Sequence, residues 1–359
     1  MATALATAPR IKPRAGFSLP AIRGRQGGRT MYLVLPTLRV VNNTMSPDME
    51  PELEKSQRSF DPAHSKGITQ YLVQNPGDYV LGAIQYAVDT EGEFEEIEDG
   101  SNMGMLYLPL EATLRSIDGQ HRRRAIPEAL SQDAKLDNDH LAVLVYVEPE
   151  LEKRKQMFSD INWNQRAVPK SVNVGFNIRD PFAHAVNEFL AAHPELDERV
   201  EKQKSSVRRG TDKIYTLGAL YDALRRYIVG AEGRVRDPGK FQWQYLKDRA
   251  NELFSFVFAR PELEEALKDP SVTEDKRVES ILLNGTTLKM VAAALYTVQQ
   301  KDKSKTLKAL APKFAEVDFR PSAEMWQRSG FVALGKTTPS ARNQEVRAAM
   351  NELVAELTS

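Results

Sequence analysis

Leu114-Arg115-Ser116-Ile117-Asp118-Gly119-Gln120-His121-Arg122-Arg123-Arg124-Ala125-Ile126 decides how this chain reads. Leu114–Ile117 has the character of a short strand. Asp118-Gly119 ends it, glycine permitting a tight turn and a close backbone approach. A helical turn is expected to begin after Gly119, and the first N–H groups of a helix have no partner within it. His121, Arg122, Arg123 and Arg124 sit on that same turn. Fixed amides together with guanidinium forks form a cradle for a phosphate or another anion. At about 100° per residue the three arginines cannot share one direction. Arg122 falls on a face with Ala125, Ile126 and Ala129, and Arg123 and Arg124 fan away from it. Pro127 lacks an N–H and is expected to kink or restart the helix. A second reading of the same residues makes Asp118 a helix cap and pairs the arginines with the acidic segment upstream. On the first reading, Asp118, Gly119, Gln120, His121, Arg122, Arg123 and Arg124 are the candidate cradle for a phosphate, a nucleotide or DNA.

Outward from this stretch, short strands and helices alternate. Tyr32–Val41 reads as a strand interrupted by Pro36, which suggests an edge or a bulge. Asp61-Pro62 is a helix start, a capping carboxylate followed by proline at the first helical position, and the helix should run to Gln74. Tyr79–Val88, Met103–Leu108 and His140–Val147 read as strands, Asp89–Gly100 as an acidic solvated loop, and Pro149 opens a further helix. Beyond Gln165 the pattern becomes helix after helix. Phe182, Ala185, Val186, Phe189 and Leu190 recur at helical spacing, as do Leu217, Leu220, Tyr221, Leu224, Tyr227 and Ile228. These stripes are core. The expected architecture is α+β: a flexible basic arm (1–30), a mixed α/β domain (31–168) and an all-α domain (169–359).

Among 359 residues, 49 Lys and Arg balance 49 Asp and Glu, and there is no cysteine. The missing cysteines exclude disulfides, thiol nucleophiles and cysteine-bound metals. The five histidines show no metal-ligand spacing, so no metal site is expected. No run of about 18 apolar residues exists, and a cytoplasmic, nucleoid-associated protein without a membrane partner is expected. The charge is unevenly placed. Arg10, Lys12, Arg14, Arg23, Arg25, Arg29 and Arg39 precede the first acid, and such an arm can hold DNA phosphates without reading bases. Two further basic stretches lie in the helical half. Lys202, Lys204, Arg208, Arg209 and Lys213 occupy one, interleaved with small hydroxyl residues. Arg225, Arg226, Arg234 and Arg236 occupy the other, with Arg225 and Arg226 expected off the apolar stripe. These nine are the DNA backbone candidates, and the same composition also suits a solvated helix face.

Asp118-Gly119-Gln120-His121-Arg122 resembles the signature of the DGQHR-domain family, of which the DndB proteins of DNA phosphorothioation are one branch. The stretch is also similar to the G-E-R-R-x-R-A element of the ParB/sulfiredoxin fold, matched at Gly119, Arg122, Arg124 and Ala125. Gln120 replaces its glutamate and His121 its first arginine. That resemblance implies a ParB-like fold and an anion-binding role for Gly119, Arg122 and Arg124. The loss of the glutamate weighs against catalysis. Met157–Val168 resembles the F-x-x-I-N-x-N-Q-(K/R) stretch that accompanies the DGQHR element, with Asn162, Asn164 and Gln165 supplying orienting amides. Turn-forming asparagines at a helix end are the alternative reading of these residues.

The resemblance implies a DNA-binding regulator or accessory factor that restrains phosphorothioate modification. Its expected partners are double-stranded DNA and other DNA sulfur-modification proteins. The alternatives are a nucleotide-dependent enzyme, an NTPase or DNA-nicking nuclease with a nucleoside triphosphate in the cradle, and a scaffold for modification enzymes. No P-loop is present, so hydrolysis would need an unusual site. The sequence leaves monomer and homo-oligomer both open.

Overall fold

Seven short strands with a period of two build the front of the protein. The computed structural model describes residues 16–45, 61–163, 168–233, 235 and 238–359. Packing divides the chain after residue 166 into two units. In the first, the strands are β1 Phe17–Gln26, β2 Arg29–Val34, β3 Ile84–Val88, β4 Glu93–Glu96, β5 Met103–Leu108, β6 Leu114–Asp118 and β7 Val143–Val147. The helices are α1 Leu38–Thr44, α2 Pro62–Gln74, α3 Gln120–Gln132 and α4 Leu151–Trp163. The strands form one mixed sheet in the order β4-β5-β1-β2-β7-β3-β6. Neighbours are antiparallel except β3 and β7, which run parallel.

Alternation divides the central strands between two faces. Ile84, Tyr86 and Val88 of β3 and Val143 and Val145 of β7 join a core with Leu38 and Val41 of α1, Leu72 of α2, and Ile126 and Ala129 of α3. Ala87, Ile117 and Tyr146 point the other way, against Met157, Phe158 and Ile161 of α4. Helices thus cover both faces, which is why the central strands are apolar along nearly their whole length. Asp61 caps α2 as the sequence predicts, its carboxylate accepting from Ala63 N at 2.9 Å, with Pro62 at the first position.

Several sequence expectations are corrected. Residues 17–30, expected as part of a mobile arm, are the β1–β2 hairpin. Gly27 (φ 56°) and Gly28 (φ 79°) supply the two left-handed residues that its tight turn requires. Arg23 and Arg29 are accordingly tied down, Arg23 to Glu96 at 2.5 Å and Arg29 to the buried Glu148 at 2.7 Å. Residues 1–15, with Arg10, Lys12 and Arg14, lie outside the described residues. The expected strand at Tyr32–Val41 stops at Val34. Pro36 breaks it, and Thr37 caps α1 by accepting from Val40 N at 3.3 Å. Only the last five residues of Tyr79–Val88 are strand, and the acidic loop contains β4. Pro127 does not restart the helix. α3 runs unbroken because one lost hydrogen bond is outweighed by the burial of Ala125, Ile126 and Ala129.

The second unit is almost wholly helical. Its helices are α5 Lys170–Phe176, α6 Pro181–Ala192, α7 Pro194–Asp197, α8 Leu217–Val229, α9 Trp243–Phe258, α10 Pro261–Lys268, α11 Thr273–Glu279, α12 Gly285–Lys301, α13 Leu307–Glu316, α14 Glu324–Arg328 and α15 Asn343–Thr358. The apolar stripes of α6, α8, α9 and α12 meet in one core. A two-residue parallel pair, β8 Val200–Glu201 with β9 Tyr215–Thr216, pinches the base of the first basic stretch. Among the described residues, no helix is long and apolar enough to cross a membrane.

Candidate functional site

β6 ends at Asp118 and α3 begins at Gln120, with Gly119 between them at φ 92° and ψ 16°. A β-carbon on Gly119 would stand 2.9 Å from Ile84 Cγ1 and 3.1 Å from Nε and Nη2 of Arg122. Backbone strain and crowding both select glycine here. Across the guanidinium, a β-carbon on Gly82 would stand 2.7 Å from Arg122 Nη1. Arg122 therefore lies in a slot between two glycines. Its Nη2 donates to Asp118 Oδ2 at 2.6 Å, and the guanidinium makes no other hydrogen bond among the described residues. The register of β6 against β3 shifts between Gln85 and Tyr86, next to the pairing of Gln85 with Asp118, and such bulges re-aim side chains.

Helix α2 packs over the first turns of α3. Ser65 Oγ donates to His121 O at 3.2 Å, and Thr69 Oγ1 donates to Ala125 O at 3.2 Å. The Asp61 N–H donates to His121 Nε2 at 3.1 Å, so the neutral imidazole carries its proton on Nδ1. The His121 ring meets His64 edge-on at 4.8 Å. Burial, and then the charges of His64, Arg124 and Arg122, hold His121 below the usual histidine range against the pull of Asp61. In front of this turn lies a cavity of about 510 Å³. Asp118, Gly119, Gln120, His121 and Arg122 form one wall; Tyr71, Val80 and Leu81 form another; and Phe158 and Asn162 of α4 close the side. No side chain caps α3, so its positive end faces the space beside an arginine fork. A guanidinium, a neutral imidazole and an uncapped helix start together suit an anion that accepts several hydrogen bonds.

The structure does not bring every predicted residue to this cavity. Arg123 turns inward and is 3% exposed. Its Nε donates to Met45 O, and its Nη2 to Asn42 O at 3.0 Å. It is a structural arginine, contrary to its place in the expected cradle, because one helical step beyond Arg122 aims it beneath α1. Burial lowers its pKa and pushes the neighbouring Tyr86 hydroxyl up to about 12. Arg124 is half-buried and does not line the cavity. Asn162 does, donating from Nδ2 to Phe158 O at 2.8 Å. Asn164 and Gln165 lie outside the described residues. Sequence reasoning missed Gly82 and His64. Gly82 carried no local signal, since its role depends on a guanidinium forty residues away. His64, Ile68 and Tyr71 share one face of α2 at i, i+4 and i+7 and all line the cavity, a stripe that was legible.

In the helical unit the DNA backbone candidates divide. Lys202 pairs with Asp197 at 2.5 Å, Lys204 lies 3.9 Å from Glu201, and Lys213 donates to Glu198 O at 2.5 Å. Arg199, at the base of the same stretch, is buried and donates to Asp212 O and Ala266 O. Arg208 and Arg209 remain exposed, without a carboxylate partner among the described residues. Arg225 and Arg226 lie off the buried stripe of α8 and are half-buried. Arg225 sits over the Tyr221 ring at 5.3 Å, and burial lowers the pKa of Arg226. Arg234 and Arg236 lie outside the described residues.

A family model, DndB, described as DNA-sulfur modification-associated, matches residues 19–359. No curated protein and no solved structure matches the chain.

Proposed function

The chain belongs to the DndB family of DNA-sulfur modification-associated proteins, and from that premise we propose that it is a DNA-binding regulator of phosphorothioate modification. In this reading it restrains the modification genes by binding their promoter DNA. The observation that carries the reading is the slot between Gly82 and Gly119, which holds the Arg122 guanidinium at the uncapped start of α3. A phosphate oxygen entering the cavity meets that guanidinium and the positive end of the helix together. Arg208 and Arg209, exposed in the helical unit, supply further phosphate contacts of the kind that position a duplex without reading bases. On this reading the first unit is the DGQHR domain and the helical unit is a second domain.

Fluorescence anisotropy with duplex DNA from the promoter of the modification genes, over a salt series, tests the proposal. Wild type should bind with log K falling linearly in log[salt], by about 0.9 per phosphate neutralised. Arg122→Ala should weaken binding by roughly tenfold or more, the loss of a charge-assisted contact. Absence of binding, or affinity indifferent to salt, would refute the proposal.

One observation favours the nucleotide reading. A cavity of about 510 Å³ lies within the size range of small-molecule sites. Calorimetry with ATP and CTP separates the two readings: a saturable heat that Arg122→Ala abolishes, without DNA affinity, supports a nucleotide-dependent enzyme.

A further inference from the structure

Helices α8 and α12 begin side by side. Gly285, the first residue of α12, permits this, since a β-carbon there would stand 2.9 Å from Ala219 Cβ. A cavity of about 320 Å³ opens at these two helix starts. Three cations from three elements line it: Lys170 of α5, Arg277 of α11 and Lys289 of α12. Ser205, Ser206 and Thr286 line the same space. Caps already satisfy several first-turn amides. Gly218 N donates to Ser171 Oγ at 3.2 Å, Ala219 N to Thr216 Oγ1 at 3.1 Å, and Thr286 N to Asn284 Oδ1 at 2.8 Å. The helix starts therefore add positive potential more than hydrogen bonds, and the side-chain cations carry the argument.

Those cations are not all compensated. Lys170 pairs with Asp222, and Arg277 with Glu274. Lys289 is half-buried and has neither an ion pair nor a hydrogen bond among the described residues. Burial holds its ammonium below the usual lysine range; Asp222 opposes this, while Arg226 and Lys170 add to it. A desolvated cation beside other cations is unfavourable unless an anion joins it. Asp222 also lines the cavity, but its carboxylate is paired with Lys170, so among the described residues Lys289 has no ion-pair partner of its own.

We propose that this cavity is a second anion site, separate from the Gly119 pocket, which takes the phosphate group of a small, nucleotide-sized molecule with Lys289 as its central contact. Its volume matches the lower end of small-molecule sites. A duplex backbone, in contrast, is met by exposed side chains such as Arg208 and Arg209.

The test uses the full chain, with calorimetry and thermal unfolding in inorganic phosphate, in AMP, and in a short duplex lacking terminal phosphates. Phosphate and AMP should bind and raise Tm. Lys289→Gln should weaken both roughly 10- to 100-fold, Lys289→Arg should retain most of the affinity, and Arg122→Ala should leave the Lys289-dependent binding of AMP in place. Without any anion, Lys289→Gln should melt no lower than wild type, because it removes a partly desolvated charge that has no ion pair among the described residues. Four results would each overturn the proposal: no saturable binding of phosphate or AMP; equal binding by Lys289→Gln; loss of AMP binding in Arg122→Ala; or displacement of AMP by the duplex. Loss of promoter binding in Arg122→Ala with AMP binding intact would uphold both sites, so the two proposals fail independently.

Discussion

Replacing Gly119 by alanine tests whether the turn before α3 needs glycine for its dihedral angles alone or also for space. At φ 92° an L-residue pays backbone strain of about 1–2 kcal/mol. The new methyl would also stand 2.9 Å from Ile84 Cγ1, in the buried core, and 3.1 Å from the Arg122 guanidinium. Overpacking of this kind adds about 1–3 kcal/mol, for a total near 3 kcal/mol. Gly28 is the internal control. It lies in the same unit at φ 79°, and a β-carbon there meets nothing within 4 Å. Gly28→Ala should therefore carry the strain alone, and the unfolded-state gain from alanine is common to both variants. The expected difference is about 2 kcal/mol, or roughly 4–8 °C in the transition of a unit of this size. Calorimetry, with hydrogen exchange of peptides covering 114–132, reads it directly. Equal costs for the two variants would refute the crowding argument and with it the slot that holds Arg122.

The neighbouring arginines should separate cleanly. Arg123→Met strands the Met45 and Asn42 carbonyls and should lower stability by about 2–4 kcal/mol, while DNA affinity per folded molecule stays within twofold. Arg122→Ala should show the opposite pattern, and a reversed outcome in denaturation and anisotropy would contradict the assignments. Acidification should loosen the α2–α3 contact. The folded-state pKa of His121 lies below its ordinary value, so the unfolded chain protonates first. The stability it contributes is complete above about pH 6.5 and is lost as the pH falls from there through the folded value. His121→Gln should flatten that part of the stability profile measured by urea titration; an unchanged slope would reject the effect. Replacing Arg208 and Arg209 together by alanine should reduce the salt slope of DNA binding by about 2. An unaltered slope would remove that loop from the interface.

The motif around Gly119 was readable because its signals are local. A strand end, a turn glycine and a helix start lie within a dozen residues, and each follows from backbone geometry. The cap at Asp61-Pro62 and the stripes of α6 and α8 were legible for the same reason. The hairpin at Gly27-Gly28 carried an equally local signal, but the arginines around it suggested a tail. Their partners, Glu96 and Glu148, are distant in sequence and meet them only across the sheet. The strand expected through Val41 failed at Pro36, where proline and a capping threonine outweighed β-branched propensity.

By itself the sequence determined where the chain turns from mixed α/β to helical, and that a glycine precedes an arginine-rich helix start, because period and turn chemistry act between near neighbours. Only the tertiary structure decided which arginine faces the cavity and which is buried under α1. Consecutive helical residues diverge by about 100°, and the surroundings of each direction are set by segments far along the chain.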